Sequence, residues 1–308
     1  MSNKLNTSLA TPGHRSSLLE LRACDSSYLV DTGGCEELEQ AIRFVLRGWQ
    51  IDPVADAGND KPDFTFWRVE KGYDWKASGV DRMEAGLDEC PETAVSAVFD
   101  LQYVLVDWLV EDNPGLAVVH AAAIETAYGL VMFPANVRAG KSFLTTGLGV
   151  RGYKIFADDV LALRPSTGEA TALGILPRLR LPLPPQSSGP ELRRAIFNGP
   201  NIADEDQMFA DPQPGGVAPL GETARVHTII LPRRTNRPIA ASLKPADRGS
   251  VLKALLCQNY STSMLASDLF DAMDAMTAGV ECFSLEYSNV DDAIACIDRF
   301  VRPLIAVA

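Results

Sequence analysis

Gly140, Lys141 and Ser142, near the middle of the chain, have the types and the order that bind phosphate. Glycine lets backbone N–H groups approach phosphate oxygens, a lysine ammonium meets the β- and γ-phosphates, and a hydroxyl can serve Mg²⁺. A Gly-Lys-Ser triplet alone would arise by chance in roughly one chain of this length in every five to ten, so its surroundings decide. Here it follows the apolar run Gly129-Leu-Val-Met-Phe133 and opens a stretch with room for three helical turns. The positive dipole end of that helix would face the same anion. Arg151-Gly-Tyr153 then reads as a turn, and Lys154 to Ala157 as a strand that ends at Asp158-Asp159. In a right-handed strand–helix–strand unit both strands finish on one edge of the sheet, which brings the aspartates beside the loop. Of two carboxylates there, one can hold a metal and the other accept the proton of an attacking hydroxyl.

The order "strand with His120, apolar strand, Gly-Lys-Ser, short helix, Arg-Gly-Tyr, strand, Ala-Asp-Asp-Val" resembles the core of the HPr serine kinase/phosphorylase family and its kinase-like relatives, over about residues 116 to 165. The resemblance implies an α/β fold with a P-loop kinase core of the HPr-kinase/phosphoenolpyruvate-carboxykinase type. It also implies ATP and Mg²⁺ as cofactors, and transfer of the γ-phosphoryl group to a hydroxyl, that of a serine in a small protein or peptide. Carried over residue by residue, it assigns the nucleotide cradle to Ala135, Asn136, Val137, Arg138, Ala139, Gly140, Lys141, Ser142 and Phe143. Asp158 becomes the base, with Lys141 and His120 beside it, and Ser142 and Asp159 serve the metal; the roles of the two aspartates could be exchanged. Read without the resemblance, a single histidine in an apolar strand is more often a hydrogen-bonded core residue.

Three departures separate this chain from the family pattern. Ala135 stands where the first loop glycine belongs, and alanine would cost roughly 1 kcal/mol there if the position needs a positive φ. The middle of the loop is Asn136-Val137-Arg138-Ala139, whose guanidinium would either meet the phosphates or stay solvated. The segment after the aspartates reads Leu176-Pro-Arg-Leu-Arg-Leu-Pro182 in place of the family's glycine-rich stretch with its glutamate ligand, which argues against phosphorylase activity and against HPr itself as acceptor. Two other readings stay open at this point, a nucleotide-binding pseudokinase or scaffold and a kinase for a small metabolite.

Composition narrows the partners. The 308 residues carry 28 basic and 40 acidic side chains, a net charge of −12, which disfavours nucleic acid and anionic membrane as partners. No apolar run reaches the 18 residues of a spanning helix, and Met1 to Ser17 lacks a signal-peptide core, so a cytoplasmic location is expected. Six scattered cysteines without a CxxC pair, and three histidines apart from them, fit reduced thiols better than zinc or disulfides.

The elements around the motif suggest residues 1–112 as a small α+β N-terminal domain and 113–308 as the P-loop domain. In the first part, strands are expected near Leu18 and Tyr28, a helix over Glu36 to Trp49, a loop over Asp52 to Pro62, a strand at Phe64 to Val69 and a long helix between Pro91 and Glu111. Trp67, Tyr73 and Trp75 fit packing or a recognition surface. In the second part, Arg178 and Arg180 share one face of an alternating segment, and Pro232-Arg-Arg-Thr-Asn-Arg237 forms a basic patch at a strand end. Pro184 to Glu222, rich in proline and glycine, reads as one long loop for acceptor docking or subunit contact, which leaves a homo-oligomer open. Strand and helix alternate to the end.

Overall fold

The computed structural model describes residues 17–23, 26–55, 60–83, 85–87, 89–113, 115–135, 140–183, 188–260 and 264–301. The fold is mixed α/β.

The N-terminal unit is one five-stranded sheet, β1 (Leu18–Ala23), β2 (Ser26–Asp31), β3 (Gln50–Val54), β4 (Phe64–Val69) and β5 (Gly72–Ala77), in the order β3-β1-β2-β4-β5. Helix α1 (Glu36–Val45) buries Leu38, Ala41, Ile42 and Val45, a stripe at helical spacing, and opens with Glu36, Glu37 and Glu39 at its positive end. Helix α2 (Ala94–Glu111) starts in a capping box: the Thr93 hydroxyl accepts from the Ser96 amide, and the Ser96 hydroxyl from the Thr93 amide, both at 3.0 Å. It is apolar on more than one side because it is covered on more than one side. Its residues share a core with β4, β5 and α1, and also with Leu173, Leu176 and Phe209 from beyond residue 112. Tyr73 and Trp75 lie in this core, while Trp67 is exposed. Residues 52–54, expected in a loop, extend β3 at the sheet edge, where Pro53 removes no interior ladder bond.

The larger part is built on a nine-stranded sheet with β6 (Ala117–Val119), β7 (Ala121–Thr126), β8 (Gly129–Pro134), β9 (Ile155–Ala157), β10 (Leu161–Arg164) and β11 (Glu169–Thr171). Beside it stands a three-stranded sheet of β12 (Arg178–Arg180), β13 (Asn201–Ala203) and β14 (Gln207–Ala210). The long β15 (Thr223–Arg234) crosses the main sheet, with β16 (Ser242–Pro245) and β17 (Glu281–Tyr287) beyond it. The helices are α3 (Lys141–Val150), α4 (Pro190–Asn198), α5 (Arg248–Cys257), α6 (Ala266–Ala278) and α7 (Val290–Val301).

Strand β15 runs parallel to both β8 and β17; β8 and the middle of β15 are buried on both faces, which is why they read as apolar runs, whereas β17 is buried only towards its end, at Leu285 and Tyr287. Leu130, Met132 and Ile229 pack with α5 and α6 on one face. Val131, Phe133 and Ile230 pack with α3, α4 and α7 on the other.

The long loop expected over Pro184 to Glu222 is not one loop. Its described residues hold α4, β13 and β14, and Leu192, Ile196, Met208 and Phe209 are buried. The elements are only three to nine residues long, too short for a periodic signal, and Pro190 sits at a helix start, where proline is tolerated. The basic stretch likewise begins inside β15, since Pro232, Arg233 and Arg234 pair with β17.

All four tryptophans (Trp49, Trp67, Trp75 and Trp108) precede residue 112, so their fluorescence reports chiefly on the N-terminal unit, with Trp49 also bonded to the Leu173 carbonyl at 2.8 Å. Because the core of that unit includes Leu173, Leu176 and Phe209, thermal unfolding followed by tryptophan fluorescence and by far-UV circular dichroism should give coincident transitions. Two separated midpoints would mean that the unit folds independently of the rest.

Candidate active site

Strands β8, β15 and β17 end together at one edge of the sheet, and the loop that leads into α3 leaves from the end of β8. Ligands of open α/β sheets sit at such edges. The helix starts at Lys141, with Gly140 as its N-cap residue at φ 88°. That conformation requires glycine, and a Cβ at this position would lie 2.9 Å from the Tyr287 hydroxyl at the end of β17. The first intrahelical bond is Leu144 N–H to Gly140 C=O at 3.0 Å, so the amides of 141–143 precede it and point out of the helix end. Lys141 is buried, and its ammonium donates to the Ala135 carbonyl at 2.7 Å, across the mouth of the loop. Burial holds its pKa below the ordinary lysine value, while Asp159 and Asp158 pull it back up.

Ala135 does not take the positive φ allowed for above; Asp159, at φ 67°, is the one non-glycine residue with positive φ among those described. Residues Asn136, Val137, Arg138 and Ala139 lie outside the described residues. The Phe143 side chain is buried in the core with Leu144 and Leu148, so only its backbone belongs to the loop mouth.

β9 runs in the same direction as β8, with β7 between them and antiparallel to both, and it delivers Asp158 and Asp159 to this edge. Val160 N–H bonds back to the Asp158 carbonyl at 2.8 Å, which closes a three-residue turn centred on Asp159. The turn sends the two carboxylates into different surroundings. Asp159 Oδ1 is 2.7 Å from His120 Nε2, and Oδ2 accepts from Arg178 Nη2 at 2.9 Å. Asp158 Oδ2 accepts from the Arg178 backbone amide at 3.0 Å, whereas Oδ1 is buried and accepts no hydrogen bond of ordinary geometry.

Their acidities part accordingly. Burial pushes Asp158 up to about 6, helped by the charge of Asp159 and opposed by the Arg178 amide, the Ser142 hydroxyl and Lys141. Burial also works on Asp159, but the His120 hydrogen bond and the Arg178 charge outweigh it and hold that carboxyl far below the usual range. The two carboxylates are thus one proton acceptor tuned near neutrality and one permanent anion.

His120 sits in the break between β6 and β7. Besides Asp159 it meets Gln258 Oε1 at 3.1 Å through Nδ1, with the Tyr260 hydroxyl at 3.4 Å from the same nitrogen. A carboxylate only accepts, so Nε2 carries the proton shared with Asp159. Gln258 and Tyr260, far along the chain after α5, have no local signal that ties them to His120. The arginines of β12 divide: Arg178 is engaged by Asp159, and Arg180 is exposed, close enough to lower the Lys141 pKa. Arg234 flanks the loop from β15. Its Cδ is 3.8 Å from where a Gly140 Cβ would stand, and its buried Nε has no hydrogen-bond partner. Arg180 and Arg234 have no carboxylate partner among the described residues, so the loop is rimmed by unneutralised cations in an acidic protein. Among the described residues no group of three or more His, Cys, Asp or Glu could hold a metal ion. No helix among them is long and apolar enough to cross a membrane.

No family model matches the chain, and no curated protein matches it. Among solved structures it is similar to the Hpr(Ser) kinase/phosphatase from Coxiella burnetii, with 14% sequence identity and a TM-score of 0.28 over 61% of this chain and 96% of that one. A likeness of this depth marks a distant structural relationship and decides neither fold type nor activity.

Because the folded pKa of Asp158 exceeds its unfolded value, the folded state binds the extra proton, and the stability this gives is full below about pH 4 and lost as pH rises through about 6. The cost above that point is on the order of 3 kcal/mol as an upper bound. Asp158→Asn should therefore raise the melting temperature at pH 8, raise it by roughly half as much at about pH 5, and leave it nearly unchanged at about pH 3. Equal shifts at all three pH values would show that the carboxyl is not held neutral. Ala135→Gly should lower affinity for phosphate-bearing ligands or leave it unchanged, since at negative φ glycine only adds freedom to be lost on ordering. Isothermal calorimetry with ATP decides that.

Proposed function

We propose that the chain is an ATP- and Mg²⁺-dependent phosphotransferase with a P-loop core of the HPr-kinase type, passing the γ-phosphoryl group to the hydroxyl of a serine in a small protein or peptide. One observation carries this reading: of two adjacent carboxylates at the loop, Asp159 has both oxygens held, by His120 and Arg178, while Asp158 keeps one buried oxygen without a partner. Environments that drive neighbouring carboxyls apart in this way assign an acid–base role to one and a fixed charge to the other.

In this scheme Asp158 Oδ1 accepts the proton of the acceptor hydroxyl as its oxygen attacks phosphorus, and the nucleoside diphosphate leaves. Lys141, the outward amides of the helix start, and the guanidinium groups of Arg180 and Arg234 supply positive charge for the triphosphate and for the charge that grows in the transition state. Phosphoryl transfer needs little else from the protein. The residues present fit Mg²⁺. The Ser142 hydroxyl and the permanently ionised Asp159 are hard oxygen donors, and this ion commonly takes only one or two carboxylates, with phosphates and water completing its shell. When bound, the ion neutralises charge on the β- and γ-phosphates. Asp159 retains lone pairs for it beyond those used by His120 and Arg178.

Serine as the acceptor follows from the sequence resemblance alone. It is tested by incubating the full-length protein with γ-labelled ATP, Mg²⁺ and serine-containing peptide pools. Asp158→Asn should lower transfer by roughly a hundredfold to ten-thousandfold and keep ATP affinity within about threefold, because the amide preserves shape but cannot take the proton. Lys141→Ala should weaken ATP binding and abolish transfer. ATP binding without transfer in the wild type would identify a nucleotide-binding scaffold instead. Unchanged ATP affinity and activity in Lys141→Ala would rule out the loop as the phosphate site.

A further inference from the structure

Arg178 is the hub through which both carboxylates are held, and what steadies its guanidinium comes from outside the sheet that carries them. Its Nη2 donates to Asp159 at 2.9 Å, its Nη1 to Gln207 Oε1 at 3.3 Å, and its backbone amide to Asp158 at 3.0 Å. The guanidinium carbon lies over the ring of Phe99, 3.9 Å from its centre, in the middle of α2. A second strut joins the same two regions: the Thr93 hydroxyl, at the N-cap of α2, donates to Asp204 Oδ2 at 2.7 Å. The other oxygen of Asp204 accepts from the amides of Asp206 and Gln207, and so fixes the turn that presents Gln207 to Arg178.

We infer that α2 of the N-terminal unit is a positioning element of the phosphotransfer site, with Phe99 as the residue that holds the Arg178 guanidinium in the plane where it can bind Asp159. This rests on the reading of the site given above. A guanidinium over an aromatic face is attracted by the ring quadrupole, and stacking fixes the plane of the fork in a way that no single hydrogen bond does. Ring on one side and carboxylate and amide oxygens at the edge leave Arg178 little freedom. Asp159, in its left-handed turn, is correspondingly fixed. Phe99 touches neither reactant, so its effect passes through Arg178.

The test is a double-mutant cycle on the full-length protein with Phe99→Leu and Arg178→Gln, using Arg178→Lys if the glutamine variant does not fold. Phe99→Leu should lower kcat for phosphotransfer by about five- to thirtyfold, with the KM for ATP within about twofold of wild type. Phe99→Tyr, which keeps the ring face, should restore most of that loss. On the Arg178→Gln background, Phe99→Leu should cost less than about twofold more. Independent effects that multiply, no recovery with tyrosine, or a kcat loss matched by the fraction unfolded would each overturn the inference. A second readout needs no turnover. In ¹⁵N-edited NMR the wild-type Arg178 guanidinium protons should be resolved and slow to exchange, and Phe99→Leu should collapse them. If the wild type shows no phosphotransfer but this change occurs, the catalytic reading fails and the hold of Phe99 on Arg178 stands. If the guanidinium signals do not change, the inference fails whatever the activity.

Discussion

The site depends on the left-handed turn at Asp159. A non-glycine residue at φ 67° costs on the order of 1 to 3 kcal/mol, and it persists only where its surroundings hold it there. The holding forces are visible: one carboxylate oxygen against His120, the other against Arg178. Charge-assisted bonds of this kind contribute about 1.5 to 3 kcal/mol each, enough to offset the strain. The turn also has an electrostatic result. Two consecutive aspartates would ordinarily raise each other's pKa and share one fate. Here one is turned towards His120 and Arg178 and the other keeps a buried oxygen without a hydrogen-bond partner, so a single dipeptide provides two kinds of carboxylate.

The sheet makes that turn possible at the right place. β8 and β9 run in the same direction with β7 between them, so the loop after the first and the aspartates after the second reach one edge although the strands do not touch. Burial of β8 and β15 on both faces keeps this edge rigid, and the partly buried Arg178, fixed at four points, couples it to the N-terminal unit. The position of a base relative to a phosphate matters to within about an ångström, and packed strands supply that better than loops do.

Much of this was legible in the chain. The apolar run before Gly140, the helix at Lys141, the strand before Asp158 and the alternation at the C-terminal end follow from local pattern, and so do most strands and helices of the first 112 residues. The stretch from Pro184 to Glu222 was not, because α4, β13 and β14 are too short to repeat a period and take their stability from contacts with distant Leu179 and α3. The strain was sought at Ala135, by position in a motif, and lies at Asp159, where a hydrogen bond two residues long could not be foreseen. Gln258, Tyr260, Gln207 and Phe99 carry no signature, since an amide or an aromatic residue acquires its role only from what the fold sets against it.

The wall of the loop at Gly140 is the hydroxyl of Tyr287, whose pKa burial lifts to about 12, so it remains a neutral phenol at any ordinary pH. The two residues are separated by nearly half the chain, and strand β17, which carries the tyrosine, is synthesised long after the loop. A ribosome that has released residues up to β16 has made the loop, both aspartates and their arginine, but not the surface against which the loop is shaped. Parallel pairing of β15 with β17 must close over an intervening segment that contains β16, α5 and α6, and that closure carries an entropic cost. The wall that Tyr287 gives the loop is therefore in place only once β17 docks, and a nascent chain that stops short of it carries the motif without that wall.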